Sequence, residues 1–124
     1  MTTPLPRLRI LCVEGDPTFL KMLALGLKAY HFEVVTAIHA GDALAKFCSS
    51  TEKFDAVLTD HDMPGMAGLK FVRSLRVLGF RGRVVLMSGR LTASEAKAYQ
   101  DFAISGFFQK PFEISLLAEM LLST

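Results

Sequence analysis

Cysteine is scarce in this sequence, with two residues in a chain of 124. That excludes a disulfide framework, so the fold must rest on its core. A chain of this size buries about two thirds of the surface its unfolded form exposes, enough for one domain without staples. Cys12 lies inside the apolar run ILCV, and Cys48 follows Phe47 in a helical stretch. Both read as buried, reduced thiols, which places the chain in a reducing, cytoplasmic setting. No apolar run approaches the ~18 residues of a membrane helix, so no span and no membrane partner are expected. The opening MTTPLPRLRILCVEGD meets an acidic cluster after a short apolar run, and so lacks a signal-peptide core. Charged residues at 21% against 51% hydrophobic exclude a chain too polar to fold.

Acidic residues are also absent locally. From Met63 to Ser94 there is no Asp or Glu, while the stretch carries Lys70, Arg73, Arg76, Arg81, Arg83 and Arg90. Lys70, Arg73 and Arg76 recur every third residue and so share one side of a helix. That side is either a solvated face or a docking face for an acidic partner. Over the whole chain 14 basic residues meet 12 acidic ones, a net charge of +2, which is too balanced to point to direct nucleic-acid binding.

What is present is alternation. RLRILCV (7–13), FEVVTA (32–37), FDAVLT (54–59), RVVLMS (83–88) and GFFQ (106–109) read as strands. Between and after them, 17–30, 40–50, 67–78, 92–102 and 112–122 read as helices. Pro17 suits a first helical turn, and Thr92 followed by Glu95 has the spacing of a capping box. Five strand–helix units argue for an α/β fold with a parallel sheet covered on both faces. The expected organisation is a single domain over 1–124, with no linker and no output domain in this chain.

In such a sheet, function collects beyond the carboxyl ends of the strands. ILCV runs into Glu14, Gly15 and Asp16. AVLT runs into Asp60, His61 and Asp62. VVLM runs into Ser88, and FFQ into Lys110. Carboxylates, a hydroxyl and an ammonium are thus delivered to one edge. Clustered carboxylates repel one another unless a cation intervenes. A hard divalent ion with oxygen ligands is the natural remedy, and Mg²⁺ is the expected one. A carboxylate fixed at a strand end can act as nucleophile toward phosphorus. Lys110 and the metal would then neutralise charge on the transferring oxygens, with Ser88 as a hydroxyl donor.

The set EGDP, FDAVLTDHDMPGMAG, VVLMSG and GFFQKPF, in order along the whole chain, resembles the receiver domain of response regulators in two-component signalling. The resemblance implies a flavodoxin-like, doubly wound sheet of five parallel strands in the order 2-1-3-4-5. It implies that Asp60 accepts a phosphoryl group from a histidine kinase or phosphotransfer protein. It also implies Lys110 as the phosphate-binding lysine, Ser88 as the switch hydroxyl and Phe107 as the switch aromatic. For the metal it implies Glu14, Asp60 and the backbone carbonyl of Asp62, with Asp16 as a further ligand through water. A downstream protein target is implied, and a phosphorylation-dependent homodimer is admitted. Because a Phe107 ring changing its burial on the fifth strand would alter the surface around it, the partner is expected on the face of the fourth helix, fifth strand and fifth helix. The chain would be a signalling domain rather than an enzyme, beyond self-catalysed phosphoryl transfer and dephosphorylation.

Several positions depart from that pattern. Gly15 stands where the family carries a second acidic metal ligand, so Mg²⁺ binding is expected to be weakened. The alternative reading is therefore a degenerate receiver that binds proteins without phosphorylation. His61 replaces a residue that is usually apolar, and it reads, like His31 and His39, as a partly exposed loop histidine. Phe107 replaces a frequent Tyr. Asp62 and Arg90 each lie two residues beyond a site position and are expected to pair across the site. Two enzyme readings fit less well. A haloacid-dehalogenase-type phosphatase has its D-x-D on the first strand with Thr or Val two residues after it, whereas here the motif is on the third and Pro64 follows. A flavin-binding flavodoxin needs a Ser/Thr-rich phosphate loop where EGDP would repel phosphate.

Overall fold

Along each central strand apolar side chains point alternately to the two faces, and this builds two cores rather than one. The computed structural model describes residues 7–63 and 65–123. In chain order the elements are β1 (Arg9–Val13), α1 (Pro17–Ala29), β2 (Glu33–Ala37), α2 (Ala40–Ser49), β3 (Ala56–Asp60), α3 (Gly68–Val77), β4 (Arg83–Ser88), α4 (Ala93–Ala98), β5 (Gly106–Gln109) and α5 (Ile114–Leu122). The strands form one parallel sheet in the order β2-β1-β3-β4-β5, as expected. Leu11, Val13, Val57, Val84 and Leu86 pack with α2 and α3 on one side. Ile10, Cys12, Leu58, Val85 and Met87 pack with α1 and α5 on the other. That is why ILCV and VVLM are apolar at every position rather than alternating with polar residues.

The helix starts follow local chemistry. Asp16 caps α1, its Oδ1 accepting from the amides of Thr18 and Phe19 at 3.0 and 3.3 Å, and Pro17 opens the helix. The Thr92–Glu95 capping box forms at α4.

Three expectations need correction. The helix expected over 92–102 stops at Ala98 and continues as a 3₁₀ turn over Gln100–Phe102, closed by Ala103 in the left-handed region at φ 54°. The cause is Arg76. Its guanidinium donates to the carbonyls of Phe102 and Ala103 at that end, and to those of Phe80 and Gly82 after α3. Arg76 is therefore not part of an open basic face with Lys70 and Arg73, which remain exposed. The third correction concerns the thiols, because Cys12 is buried but Cys48 is exposed on α2. Burial pushes the Cys12 thiol up to about 12. A disulfide exchange reagent at pH 8 should label Cys48 promptly and Cys12 only on unfolding. Two fast thiols in the native protein would contradict this packing.

Candidate functional site

Backbone hydrogen bonds past the strand ends fix the site's side chains. The Glu14 amide donates to the Ala37 carbonyl at 3.1 Å, so the chain stays tethered to β2 for one residue beyond β1. Asp60 is the last residue of β3 and Ser88 the last of β4. The Lys110 amide donates to the Ser88 carbonyl at 2.8 Å, which holds Lys110 at the end of β5. Three strands thereby bring Glu14, Asp60 and Lys110 to one point. Lys110 Nζ lies 2.5 Å from Glu14 Oε2 and 2.9 Å from Asp60 Oδ2. Glu14 is 3% exposed and Asp60 6%. Phe19 of α1 places its ring 4.7 Å from the same ammonium, a cation–π contact that also walls off one side.

The local charge is two carboxylates on one ammonium. Burial pushes the Glu14 carboxyl up, the neighbouring Asp60 charge adds to this, and hydrogen bonds from Lys110 and the Asp16 amide work against it. For Lys110 burial pulls down, but its hydrogen bonds to Glu14 and Asp60 outweigh that and hold the ammonium above its ordinary value. The arrangement keeps a cation beside the carboxylate at the end of β3. It leaves one uncompensated negative charge for a further cation.

The remaining candidates divide. Asp62 is brought to the site: its amide donates to Asp60 Oδ1 at 3.0 Å, and its carboxylate lies 3.1 Å from Ser88 Oγ. Ser88 Oγ also lies 2.8 Å from the Arg90 carbonyl and accepts from the Arg90 amide. The hydroxyl has one proton, so Asp62 and the Arg90 carbonyl compete for it. The expected Asp62–Arg90 ion pair is not formed among the described residues, because the Asp62 carboxylate faces Ser88 instead. Asp16 is not turned into the site; its side chain is committed to the α1 cap. Phe107 points outward, 43% exposed.

The donor chemistry can be tested against Mg²⁺. Glu14 and Asp60 offer hard oxygen atoms at one point, and the Asp60–Asp62 hydrogen bond folds the loop carrying the Asp62 carbonyl beside them. No group of three acidic, His or Cys side chains is placed to hold a metal among the described residues. The set fits a dication that keeps most of its waters, with fewer charged ligands than a dedicated cage.

Sequence reasoning missed one part of this region. His61 is the partly exposed loop residue that was expected, but its side chain, 11% exposed, is engaged on both sides. Its ring is held between Tyr99 Oη at 2.5 Å and Glu95 Oε2 at 2.6 Å. The only available signal was the capping-box glutamate, whose second partner the pattern does not reveal.

The family model for the response regulator receiver domain matches residues 10–122. The transcriptional regulatory protein FlgR of Helicobacter pylori is 36% identical over 118 residues, which cover 94% of this chain and 29% of that protein. PrrA of Mycobacterium tuberculosis is 32% identical over 122 residues, 98% of this chain and 50% of that protein. The chain thus spans half or less of these relatives. Among solved structures, the chemotaxis protein CheY4 of Vibrio cholerae superposes with a TM-score of 0.86 at 24% identity, covering 94% of this chain and 97% of that one. With the family model running from β1 to the end of α5, this chain belongs to the response regulator receiver domain family.

Proposed function

We propose that Asp60 is a phosphoacceptor, charged by a histidine kinase or phosphotransfer protein. The observation that carries the reading is the Glu14–Lys110–Asp60 constellation at the ends of β1, β5 and β3. A carboxylate oxygen of Asp60 attacks phosphorus in line. The new O–P bond forms as the N–P bond to the donor imidazole breaks, and the imidazole keeps the electron pair and takes a proton from water. Lys110 turns its ammonium from the free carboxylates to the phosphoryl oxygens. Glu14, Asp60 and the Asp62 carbonyl would hold Mg²⁺, and the bound ion would neutralise the developing charge. Ser88 releases Asp62 and donates to a phosphoryl oxygen, and that re-aimed hydroxyl passes the change to the loop after β4. Asp16 would act on the metal only through water, since its carboxylate holds the α1 cap.

The downstream protein partner docks on the face of α4, β5 and α5. A groove of about 420 Å³ there is lined by Leu86, Leu91, Ala96, Tyr99, Ile104 and Phe107, and Leu116 on α5 is exposed. Phe107 works as the switch by changing its burial, since it has no hydroxyl. A phosphorylation-dependent homodimer would use the same apolar face.

Incubation with acetyl phosphate and Mg²⁺ tests the central claim. Intact mass should show one added phosphoryl group that hydroxylamine removes, as an acyl phosphate requires. No labelling at saturating Mg²⁺ would overturn the reading. It would favour instead a receiver that works by protein contact alone, the outcome to which Gly15 points.

A further inference from the structure

We infer that His61 is a positioning residue that ties the loop bearing Asp60 and Asp62 to α4, so that the phosphoryl site and the α4–β5 groove move as one. The inference rests on Asp60 as the phosphoryl site.

Four contacts fix His61. Its amide donates to the Met87 carbonyl at 2.8 Å, and its carbonyl accepts from the Gly68 amide at 3.0 Å. Its ring contacts Glu95 and Tyr99. The Glu95 carboxylate can only accept, which places a proton on Nε2. Nδ1 then pairs with the Tyr99 hydroxyl, which can either donate to it or accept from it. Glu95 is the same residue whose Oε1 takes the Thr92 amide at 2.9 Å to close the first turn of α4. Those two partners, Thr92 first and His61 second, hold the Glu95 carboxyl down at about 2. One carboxylate thus serves both the start of α4 and the residue next to Asp60.

The tether matters because little else holds α4. The helix is six residues long and buries none of its side chains. Tyr99, just after it, is 2% exposed and anchors it from below. Space around this anchor is closed: a Cβ at Gly68 would lie 2.8 Å from both His61 Cα and Tyr99 Oη. Tyr99 and Ala96 line the groove proposed above for a partner. A shift of the Asp60–Asp62 loop must therefore displace Glu95 and Tyr99 or break two short hydrogen bonds. Coupling is reciprocal, so a partner seated in the groove would in turn stiffen the phosphoryl site.

Amide hydrogen exchange over 93–99 tests the tether without any phosphodonor. His61→Phe keeps the ring's bulk but bonds neither partner, and it should speed exchange there about tenfold while leaving β1 and β3 unchanged. Tyr99→Phe should act in the same direction, and His61→Gln, which offers one donor and one acceptor, should restore much of the protection. Exchange in His61→Phe equal to the parent would overturn the tether. The second arm adds Mg²⁺ and beryllofluoride, an acyl-phosphate mimic, with bound fluoride read by ¹⁹F NMR. In the parent, bound mimic should change exchange in α4. In His61→Phe the mimic should still bind, but α4 should no longer respond; an undiminished response would overturn the coupling. If the parent binds no mimic, the phosphoryl reading and the coupling fail together, while the first arm still decides the tether.

Discussion

Asp60→Asn is expected to abolish labelling by acetyl phosphate while leaving the fold at least as stable as before. The two effects have different origins. Asn keeps the shape of the side chain and an oxygen to accept from the Asp62 amide, now at 3.0 Å from Asp60 Oδ1. It removes the nucleophilic oxygen, and an amide oxygen does not form a phosphoryl ester under these conditions. It also converts two carboxylates on one ammonium into a balanced Glu14–Lys110 pair. The Asp60 charge adds to the burial that pushes the Glu14 carboxyl up. An acid whose folded pKa is raised stabilises the fold below its unfolded value, and that contribution is lost as pH rises through the folded value. Removing the neighbouring charge shrinks this loss at neutral pH, so stability at pH 7 should rise or hold. Intact mass and urea unfolding at pH 7 check the two halves separately. Undiminished labelling would place the nucleophile elsewhere, and a marked loss of stability would show that the charge accounting of the site is wrong.

How much of this was legible in the sequence depends on the range of the interaction. The strands were legible because a parallel strand buried on both faces is apolar throughout, as in ILCV and VVLM. Their polar ends were legible for the same reason: the first charged residue after such a run must sit at the sheet edge. The family resemblance then supplied strand order and candidate roles that residue types alone do not give. Long side chains defeated the pattern. Arg76 has the periodicity of a solvent-facing residue on α3, yet its guanidinium reaches four carbonyls on two loops. Nothing in a three-residue spacing tells a side chain that points away from one that curls back. Asp16 reads as an acidic neighbour of the site, but Pro17 after it marks an N-cap, and the cap claimed the carboxylate. His61 is the sharpest case, since its two partners sit beyond α3 and β4 and only the fold brings them to the ring. Cys48 was misplaced more simply: α2 buries Ala40 and Ala43, and Cys48 lies off that stripe.

Lys110→Met is expected to destabilise the protein by ~3 kcal/mol at neutral pH, the cost of leaving buried charge without its partner. Met keeps an unbranched stem against Phe19 and removes only the ammonium, so packing changes little. What remains is Glu14 and Asp60, 3% and 6% exposed, with no cation between them. Two such carboxylates repel, and the pair relieves the repulsion by holding a proton. In the native protein burial already pushes Glu14 above its ordinary value of 4.5, and Lys110 restrains that shift. Without Lys110 the folded value rises further while the unfolded value stays put. By the linkage sign, the deficit is largest above the folded value and shrinks as pH falls toward 4.5. Urea unfolding at pH 7 and pH 5 should therefore show a large deficit at pH 7 and a small one at pH 5. Millimolar Mg²⁺ at pH 7 should recover more stability in the variant than in the parent, because in the parent the ammonium already supplies part of the neutralisation. A deficit equal at both pH values and indifferent to Mg²⁺ would mean that Lys110 acts through its stem and not its charge. In that case the carboxylate pair would not be the cation-seeking centre that phosphoryl transfer at Asp60 requires.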